Sequence, residues 1–141
     1  MVLKATITMD TPQLFNATGY SGETVPIHFP KKDEKALGPG PMEMILLGVG
    51  GCTAIDIVDI LAKEHETVKA FRVEIEAEKA PEIPKVFTRI HLKYVIRGDV
   101  KEANVKRAID LSMERYCSAS IMLKRSGVDI TTSYAIERPT R

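Results

Sequence analysis

The two cysteines of the chain, Cys52 and Cys117, are the residues whose types point most directly to chemistry. Cys52 follows the pair Gly50-Gly51, so another backbone or a small substrate can approach its sulfur closely. A break in the helix there would leave free N–H groups that favour the reactive thiolate. Asp56, four residues later on the same helical face, would oppose that thiolate. The local sequence therefore leaves Cys52 open between a nucleophile and a small buried hydrophobe, the commonest role of a free cysteine.

Cys117 and Glu43 are the other candidate site residues. Cys117 lies in "ERYCSASIML", where Ser118 could cap a following helix and the field at the helix start would favour a thiolate. Sequence spacing does not show whether the two cysteines come within reach of a disulfide. Glu43, near the start of a long apolar helix, could act on the helix dipole alone. At about 100° per residue it faces away from Cys52 on an unbroken helix, and Met42 lies nearer the Cys52 face.

Metal, nucleotide and serine-hydrolase sites find little support in the sequence. The three histidines, His28, His65 and His91, would make a zinc set with the cysteines, but no Cys-x-x-Cys or His-x-x-x-His spacing accompanies them. We therefore expect no metal, and His91 is expected on the solvated face of a strand. The motif "GVGGC" has the wrong glycine spacing for a phosphate-binding loop, and a nucleophile elbow is absent from the sequence.

The element that must position Cys52 is a long helix in "GPMEMILLGVGGCTAIDIVDIL", residues 40–61. It follows the breaker cluster "LGPGP", with Pro41 in its first turn, and we predict it over about residues 42–64. It is apolar nearly all round, which predicts burial on most faces. Two aspartates, each costing roughly 2.5 to 3.5 kcal/mol at mid-bilayer, favour a core helix over a membrane span.

The remaining elements follow from hydrophobic periodicity. Alternation with a period of two predicts strands at about residues 3–9, 14–19, 24–29, 71–77, 86–96 and 128–136. One helix is expected after Asp99, which with Glu102 resembles a capping box, and another over 119–125, ending at Gly127. The tail "ERPTR" is expected to fray. This order predicts one α+β domain, residues 1–141, with a mainly antiparallel sheet around the long central helix.

Composition limits the partners and the compartment. The chain has 141 residues and a net charge of +1, from 20 basic and 19 acidic side chains. That balance argues against nucleic acid or an anionic membrane as the main partner. The first 15 residues show no secretory signal, so we expect a cytoplasmic protein. Thiols are kept reduced there, which favours free or catalytic cysteines over a structural disulfide.

The segments "PMEMILLGVGGCTAIDIVDIL" and "LSMERYCSAS" together resemble the OsmC/Ohr family, in particular its OsmC-like, YhfA-like branch, over about residues 1–137. The resemblance implies an OsmC-like fold in an intertwined homodimer with two sites at the subunit interface. It implies a thiol-dependent peroxidase that reduces organic hydroperoxides. Cys52 would attack the O–O bond and become a sulfenic acid, and Cys117 would condense with it to a disulfide. An external dithiol, lipoyl-type in some members, would restore both thiols without a bound cofactor.

Two departures from the family pattern bear on activity. The family's catalytic carboxylate directly follows the proline, where this chain has Met42, so Glu43 is displaced by one residue. The family also supplies an arginine from its N-terminal strands, and this chain has none before Arg72; lysines offer no planar bidentate group. An alternative is therefore an OsmC-like small-molecule-binding or thiol-carrying protein without efficient peroxidase activity. A third is a structural dimer with inert thiols.

Overall fold

The computed structural model describes residues 1–139. The chain divides into two compact units, residues 1–47 and 48–141, and the boundary falls inside the long helix. Each unit is described separately below. The predicted fraying of the C-terminal tail concerns in part residues 140 and 141, which lie outside the described residues.

The first unit is built on a three-stranded antiparallel sheet in the order β1-β2-β3. The strands are β1 (Thr6–Thr11), β2 (Leu14–Thr18) and β3 (Thr24–His28). β1 begins three residues later than predicted and carries a register irregularity between Met9 and Thr11. His28, at the end of β3, is buried, and its Nδ1 accepts a hydrogen bond of 2.9 Å from the Leu37 backbone N–H. This histidine therefore fixes the loop that leads to the helix.

Helix α1 spans Pro41–Lys63, within one residue of the prediction at each end. In the part of α1 that belongs to the second unit, the buried side chains are four residues apart, as one face of a helix requires: Val49, Thr53, Ile57 and Leu61. Ile55, on another face, is 73% exposed. The described residues thus bury one stripe of α1 rather than most of its faces. By length and hydropathy the helix could span a membrane, a test that a soluble core helix also passes.

The second unit contains a sheet in the order β4-β5-β6, with β4 (Ala70–Lys79), β5 (Phe87–Arg97) and β6 (Asp129–Glu137). β4 and β5 are antiparallel, whereas β5 and β6 are parallel because two helices connect them in a crossover. A Cβ atom at Gly50 would lie 2.5 Å from Ile75 Cδ1, so the α1 backbone runs close against β4. The expected α+β class, with antiparallel sheets and a long helix, is confirmed.

The crossover consists of α2 (Glu102–Leu111), a π-helical turn (Ser112–Tyr116) and α3 (Ser118–Arg125). The predicted capping box is wrong: Lys101, not Asp99, is the N-cap residue of α2, and its own side chain makes no capping hydrogen bond. Glu102 instead accepts a hydrogen bond of 2.5 Å from the Tyr134 hydroxyl. Gly127, with a φ of 105°, ends α3 as predicted, because glycine adopts this left-handed conformation without strain.

Candidate functional site

Two thiols and one carboxylate meet in the second unit. The Sγ atoms of Cys52 and Cys117 and a carboxylate oxygen of Asp56 all lie within 4.8 Å of one another. Cys52 is half-buried and Cys117 is fully buried. The structure therefore brings the two predicted cysteines together, and it adds a carboxylate to the pair.

Helix α1 positions Cys52 and Asp56. The two residues are one helical turn apart, so their side chains lie on the same face. Gly50, two residues before Cys52, lets this part of the helix approach Ile75 on β4. The glycines do not break the helix, which runs unbroken through Gly48, Gly50 and Gly51. Cys52 consequently gains no free N–H groups from a helix break, contrary to one of the possibilities raised by its sequence.

The π-helical turn positions Cys117. The backbone N–H of Cys117 donates to the Ser112 carbonyl across 2.7 Å, the five-residue spacing of a π turn. Cys117 then adopts an extended conformation and becomes the N-cap of α3, with its Sγ accepting from the Ser120 N–H at 3.4 Å. The cap was expected at Ser118, so that prediction is wrong by one residue. The helix start thus directs an N–H group at the buried sulfur.

The buried thiol is held in its neutral form. Burial raises the pKa of the Cys117 thiol above its usual range, and the hydrogen bond and charge of Cys52 raise it further, whereas the hydrogen bonds from Ser120 lower it. A thiol with a raised pKa is protonated at neutral pH, and the neutral form is the weaker nucleophile. Cys117 therefore needs a proton acceptor before it can attack another sulfur.

A chain of buried hydroxyl groups ends on the carboxylate of Asp56. Ser112 Oγ donates to Asp56 Oδ2 at 3.0 Å, Thr53 Oγ1 lies 2.9 Å from Ser112 Oγ, and the Tyr94 hydroxyl lies 2.8 Å from Thr53 Oγ1. Tyr94, Thr53 and Ser112 are each fully buried. Residues from β5, α1 and the π-helical turn are thereby tied to one carboxylate.

Each hydroxyl has one proton, and this fixes the direction of the chain. Because Ser112 donates to Asp56, Thr53 must donate to Ser112, and Tyr94 must donate to Thr53. Burial raises the pKa of Tyr94 to about 12, so its phenol keeps the proton that it donates. Three O–H groups in series therefore point toward the carboxylate, and the hydrogen bonds of such a series strengthen one another.

Asp56 also lines a cavity of about 390 Å³. Its walls come from α1 and the residue that follows it, from α2 and from the π-helical turn: Asp56, Asp59, Ile60, Lys63, Glu64, Arg107, Leu111 and Tyr116. Both basic side chains in the wall are already paired, Lys63 with Asp59 at 2.9 Å and Arg107 with Glu64. The carboxylate of Asp56 thus lies beside the thiols, and the cations of the cavity are held by other carboxylates.

Glu43, the third predicted site residue, lies in the first unit. Its Oε1 accepts a hydrogen bond of 3.0 Å from the Gly40 backbone N–H at the start of α1. This contact is that of a capping carboxylate at a helix N-terminus. A role for Glu43 in the chemistry of the thiols stays a prediction.

His28 and His91 have hydrogen-bond partners. His91 is not merely solvated, as its place in the strand pattern suggested, because its ring nitrogens lie 2.6 Å from Thr131 Oγ1 and 2.8 Å from Ser133 Oγ. His65 adopts a positive φ of 61° just after the end of α1. The cysteine cluster contains no histidine. The cluster offers three groups, fewer than the four protein ligands of a structural zinc site but as many as an open catalytic zinc site uses, so the absence of a metal stays a prediction.

Sequence reasoning noted Asp56 only as an obstacle to a thiolate, and it missed Thr53, Tyr94 and Ser112. Thr53 had one available signal, since it is a hydroxyl residue at a core-facing position of an apolar helix. Buried polar groups are nearly always hydrogen-bonded, so such a residue predicts a buried partner. The partners themselves lie 41 and 59 residues away and could not be named.

Comparison with known proteins agrees with this architecture. A family model described as OsmC-like protein matches residues 32–133. Protein YhfA of Escherichia coli (strain K12) is 46% identical over 99 residues, which is 70% of this chain and 73% of that protein.

Two solved structures share the fold over nearly the whole chain. A hypothetical protein from Aquifex aeolicus VF5 superposes with a TM-score of 0.86 at 27% identity and covers 99% of both chains. The organic hydroperoxide resistance protein OhrB of Bacillus subtilis superposes with a TM-score of 0.62 over 96% of this chain and 98% of that one; at 14% identity it shows the fold alone. Because the family model covers most of the chain and YhfA is a near relative, the protein belongs to the OsmC-like family, as its two cysteine segments predicted.

Proposed function

We propose that the protein reduces hydroperoxides, preferentially organic ones, with Cys52 as the attacking thiol and Cys117 as the resolving thiol. The observation that carries the proposal is that the two sulfurs lie within 4.8 Å of each other, one half-buried and one buried. Membership of the OsmC-like family supports it, as does the name of the B. subtilis relative, which refers to organic hydroperoxide resistance.

The reaction has two steps. The Cys52 thiolate attacks one oxygen of R–O–O–H, the O–O bond breaks, and the alkoxide takes up a proton and leaves as an alcohol. Cys52 is then a sulfenic acid, and condensation with the Cys117 thiol gives a disulfide and water. The sulfurs must close from their present separation to about 2.05 Å, the length of an S–S bond.

An external dithiol, for which a lipoyl group is the candidate, returns the disulfide to two thiols by exchange. It attacks at Cys52, because Cys52 is half-buried whereas Cys117 has no exposed surface. No bound cofactor takes part in this scheme. The cytoplasm is the compartment in which such a dithiol would be kept reduced.

The protein acts as a homodimer in this proposal. Helix α1 exposes several large apolar side chains, Ile45, Leu47, Ile55 and Val58. A second copy covering such residues would remove them from water, at about 25 cal/mol for each Å² buried. Light scattering coupled to size exclusion measures the assembly, and a monomer across the working concentration range would refute this part of the proposal.

The experiment that tests the proposed function is oxidation of the reduced protein by cumene hydroperoxide and, separately, hydrogen peroxide. Peptide mass spectrometry follows each cysteine with time. We expect a Cys52–Cys117 disulfide in the wild type, faster with the organic peroxide, and a lasting Cys52 sulfenic acid in Cys117→Ser. Oxidation of both cysteines no faster than that of free cysteine would overturn the proposal. Glu43→Gln, which keeps an oxygen for Gly40, tests whether the charge of Glu43 matters.

A ligand-binding or thiol-carrying protein without efficient peroxidase turnover is the second candidate. Two observations favour it: no arginine precedes Arg72, and the charge beside the thiols is the carboxylate of Asp56, which opposes a thiolate. In that case the wild type and Cys52→Ser would remove peroxide at equal rates. A small apolar molecule would instead stabilise the protein against heat, in proportion to its concentration.

A further inference from the structure

We propose that Asp56 is the proton-transfer group for closure of the disulfide: it takes the proton from Cys117 and gives it to the hydroxide that leaves Cys52. This inference rests on the proposed function and adds to it an acid–base residue between the two thiols. It concerns the second step of the reaction, in which a sulfenic acid on Cys52 reacts with the thiol of Cys117.

The position of the carboxylate is the first argument. An oxygen of Asp56 lies within 4.8 Å of both sulfurs, so one group reaches both the proton to be removed and the oxygen to be protonated. A short movement brings it into hydrogen-bond range, as is common when a site goes from its resting geometry to its reacting geometry.

The state of Cys117 is the second argument. This thiol is buried and neutral, and it has no exposed surface on which bulk water can act as a ready base. Its sulfur already accepts the N–H of Ser120, which is in place to hold the negative charge once the proton has left. The missing component is a base, and the cluster contains one.

The hydroxyl chain is the third argument. Tyr94 donates to Thr53, Thr53 donates to Ser112, and Ser112 donates to Asp56 Oδ2, so the series of hydrogen bonds holds the carboxylate in position. A carboxylate that was only a structural partner of these hydroxyls would not need to lie beside both thiols.

Atoms and charges balance in the proposed step. The Asp56 carboxylate accepts the Cys117 proton, and the resulting thiolate attacks the Cys52 sulfur. The S–O bond breaks with its electron pair on oxygen, and that oxygen takes the proton from Asp56 and leaves as water. Cys117 is oxidised, the sulfenic sulfur of Cys52 is reduced to the disulfide level, and Asp56 is again ionised.

The surrounding charges matter for the pH dependence of this step. The ionisable groups that face Asp56 come from its own helix, from α2, from the end of the π-helical turn and from β5: Cys52, Asp59, Lys63, Glu64, Arg107, Tyr116, Cys117 and Tyr94. Lys63 and Arg107 are paired with other carboxylates, so Asp56 is not tied to a cation. It can therefore exchange a proton without breaking an ion pair of its own.

The test compares the wild type with Asp56→Asn, a change that keeps size and hydrogen-bonding capacity and removes the base. After a pulse of cumene hydroperoxide, dimedone traps the Cys52 sulfenic acid, and peptide mass spectrometry gives the rates of its formation and of disulfide closure. We expect closure to slow about 100-fold, the usual size of a lost acid–base group. The sulfenic acid itself should form at least as fast, because a negative charge beside Cys52 is removed.

The pH profile separates proton transfer from a structural role. In Asp56→Asn the solvent must take the Cys117 proton, so closure should accelerate about tenfold for each pH unit below the pKa of that thiol, more steeply than in the wild type. Asp110→Asn is the matched control, since it removes an exposed carboxylate of α2 that lies in the same unit but does not line the cavity of Asp56. Its closure rate should equal that of the wild type. If Asp56→Asn does not fold, Asp56→Ser, which is smaller and keeps a hydroxyl for Ser112, should show the same slowing.

The outcomes distinguish the two proposals. Closure in the folded Asp56 variant at the wild-type rate and with the wild-type pH profile would overturn the role of Asp56 and leave the peroxidase proposal intact. Absence of both sulfenic acid and disulfide in the wild type would overturn the peroxidase proposal itself. Equal slowing in Asp110→Asn would show a general charge effect and would also overturn the role of Asp56.

Discussion

Removal of the Thr53 hydroxyl, which lies between two other buried hydroxyl groups, should lower the free energy of unfolding more than removal of the Tyr94 hydroxyl at the end of the series. Removal of both should restore part of the stability that is lost with Thr53 alone. The three variants are Thr53→Val, Tyr94→Phe and the double variant, all nearly isosteric with the wild type. In the wild type Tyr94 donates to Thr53, and Thr53 donates to Ser112. Thr53→Val therefore removes two hydrogen bonds and leaves the buried Tyr94 O–H without an acceptor. Tyr94→Phe removes one bond and orphans no donor.

The magnitudes follow from these counts. Tyr94→Phe should destabilise by about 0.5 to 1.5 kcal/mol, the net worth of one hydrogen bond. Thr53→Val should destabilise by about 2 to 4 kcal/mol, since an orphaned buried donor costs about 1 to 3 kcal/mol beyond the lost bond. In the double variant the orphaned donor is gone, so it should be more stable than Thr53→Val alone by about 1 kcal/mol or more. A second substitution that increases stability is the distinctive expectation.

Urea denaturation at one fixed protein concentration measures these differences, because the stability of an assembling protein depends on concentration. Unchanged m-values would show that only stability has changed. The reasoning is refuted if Tyr94→Phe is as destabilising as Thr53→Val, or if the double variant is the least stable of the three. Either result would mean that the Tyr94 proton does not point along the chain toward Asp56.

Three further predictions concern the scaffold of the site. Burial raises the pKa of Tyr94 from 10.0 to about 12, so the contribution of the neutral phenol to stability is complete below pH 10 and is lost as the pH rises toward 12. This loss in the free energy of unfolding, roughly 2 to 3 kcal/mol, should be absent from Tyr94→Phe in alkaline denaturation. Gly98→Ala should destabilise the protein by about 2 to 4 kcal/mol in thermal melts, because the φ of Gly98 is 146° and a Cβ there would lie 2.6 Å from the Thr67 carbonyl oxygen. Gly127→Ala should cost only about 1 kcal/mol in the same melts, because a Cβ at Gly127, whose φ is 105°, would meet open space. Ile57→Ala should cost about 2 to 5 kcal/mol in urea denaturation, since Ile57 is fully buried, and a loss below 1 kcal/mol would contradict its place in the core.

Periodicity located the elements well, and it did so for a physical reason. In the strands at residues 70–79 and 87–97, buried and exposed side chains follow the pattern of a half-buried sheet. Consecutive residues carry this pattern, so it can be recognised from the sequence alone. The direction of β6 could also have been predicted, because a strand that returns after helices usually lies parallel to its neighbour. The start of α2 was misplaced because Asp99 and Glu102 fit a capping motif that the chain does not use.

The candidate site was predictable only in part. The resemblance to the OsmC/Ohr family suggested that Cys52 and Cys117 act together, and the structure brings them close. The role of Asp56 was hidden, because its hydroxyl partner Ser112 is 56 residues away in the chain. Side-chain contacts between distant segments leave no local period in the sequence. The π-helical turn was equally invisible, since "SMERY" has no composition that distinguishes it from an α-helix.

That turn makes the pairing of the thiols depend on residue number as well as residue type. A π turn holds about one residue more per turn than an α turn, with poorer hydrogen-bond geometry. A deletion of one residue within Ser112–Tyr116 would close this turn to the α form and leave Cys117 in nearly the same direction, whereas a deletion of two residues would rotate Cys117 by about 100° around the helix axis. The longer deletion would separate the redox pair while leaving both cysteines, and most of the helix, unchanged. Relatives that keep both cysteines but are two residues shorter in this segment should therefore be counted as having lost the pair.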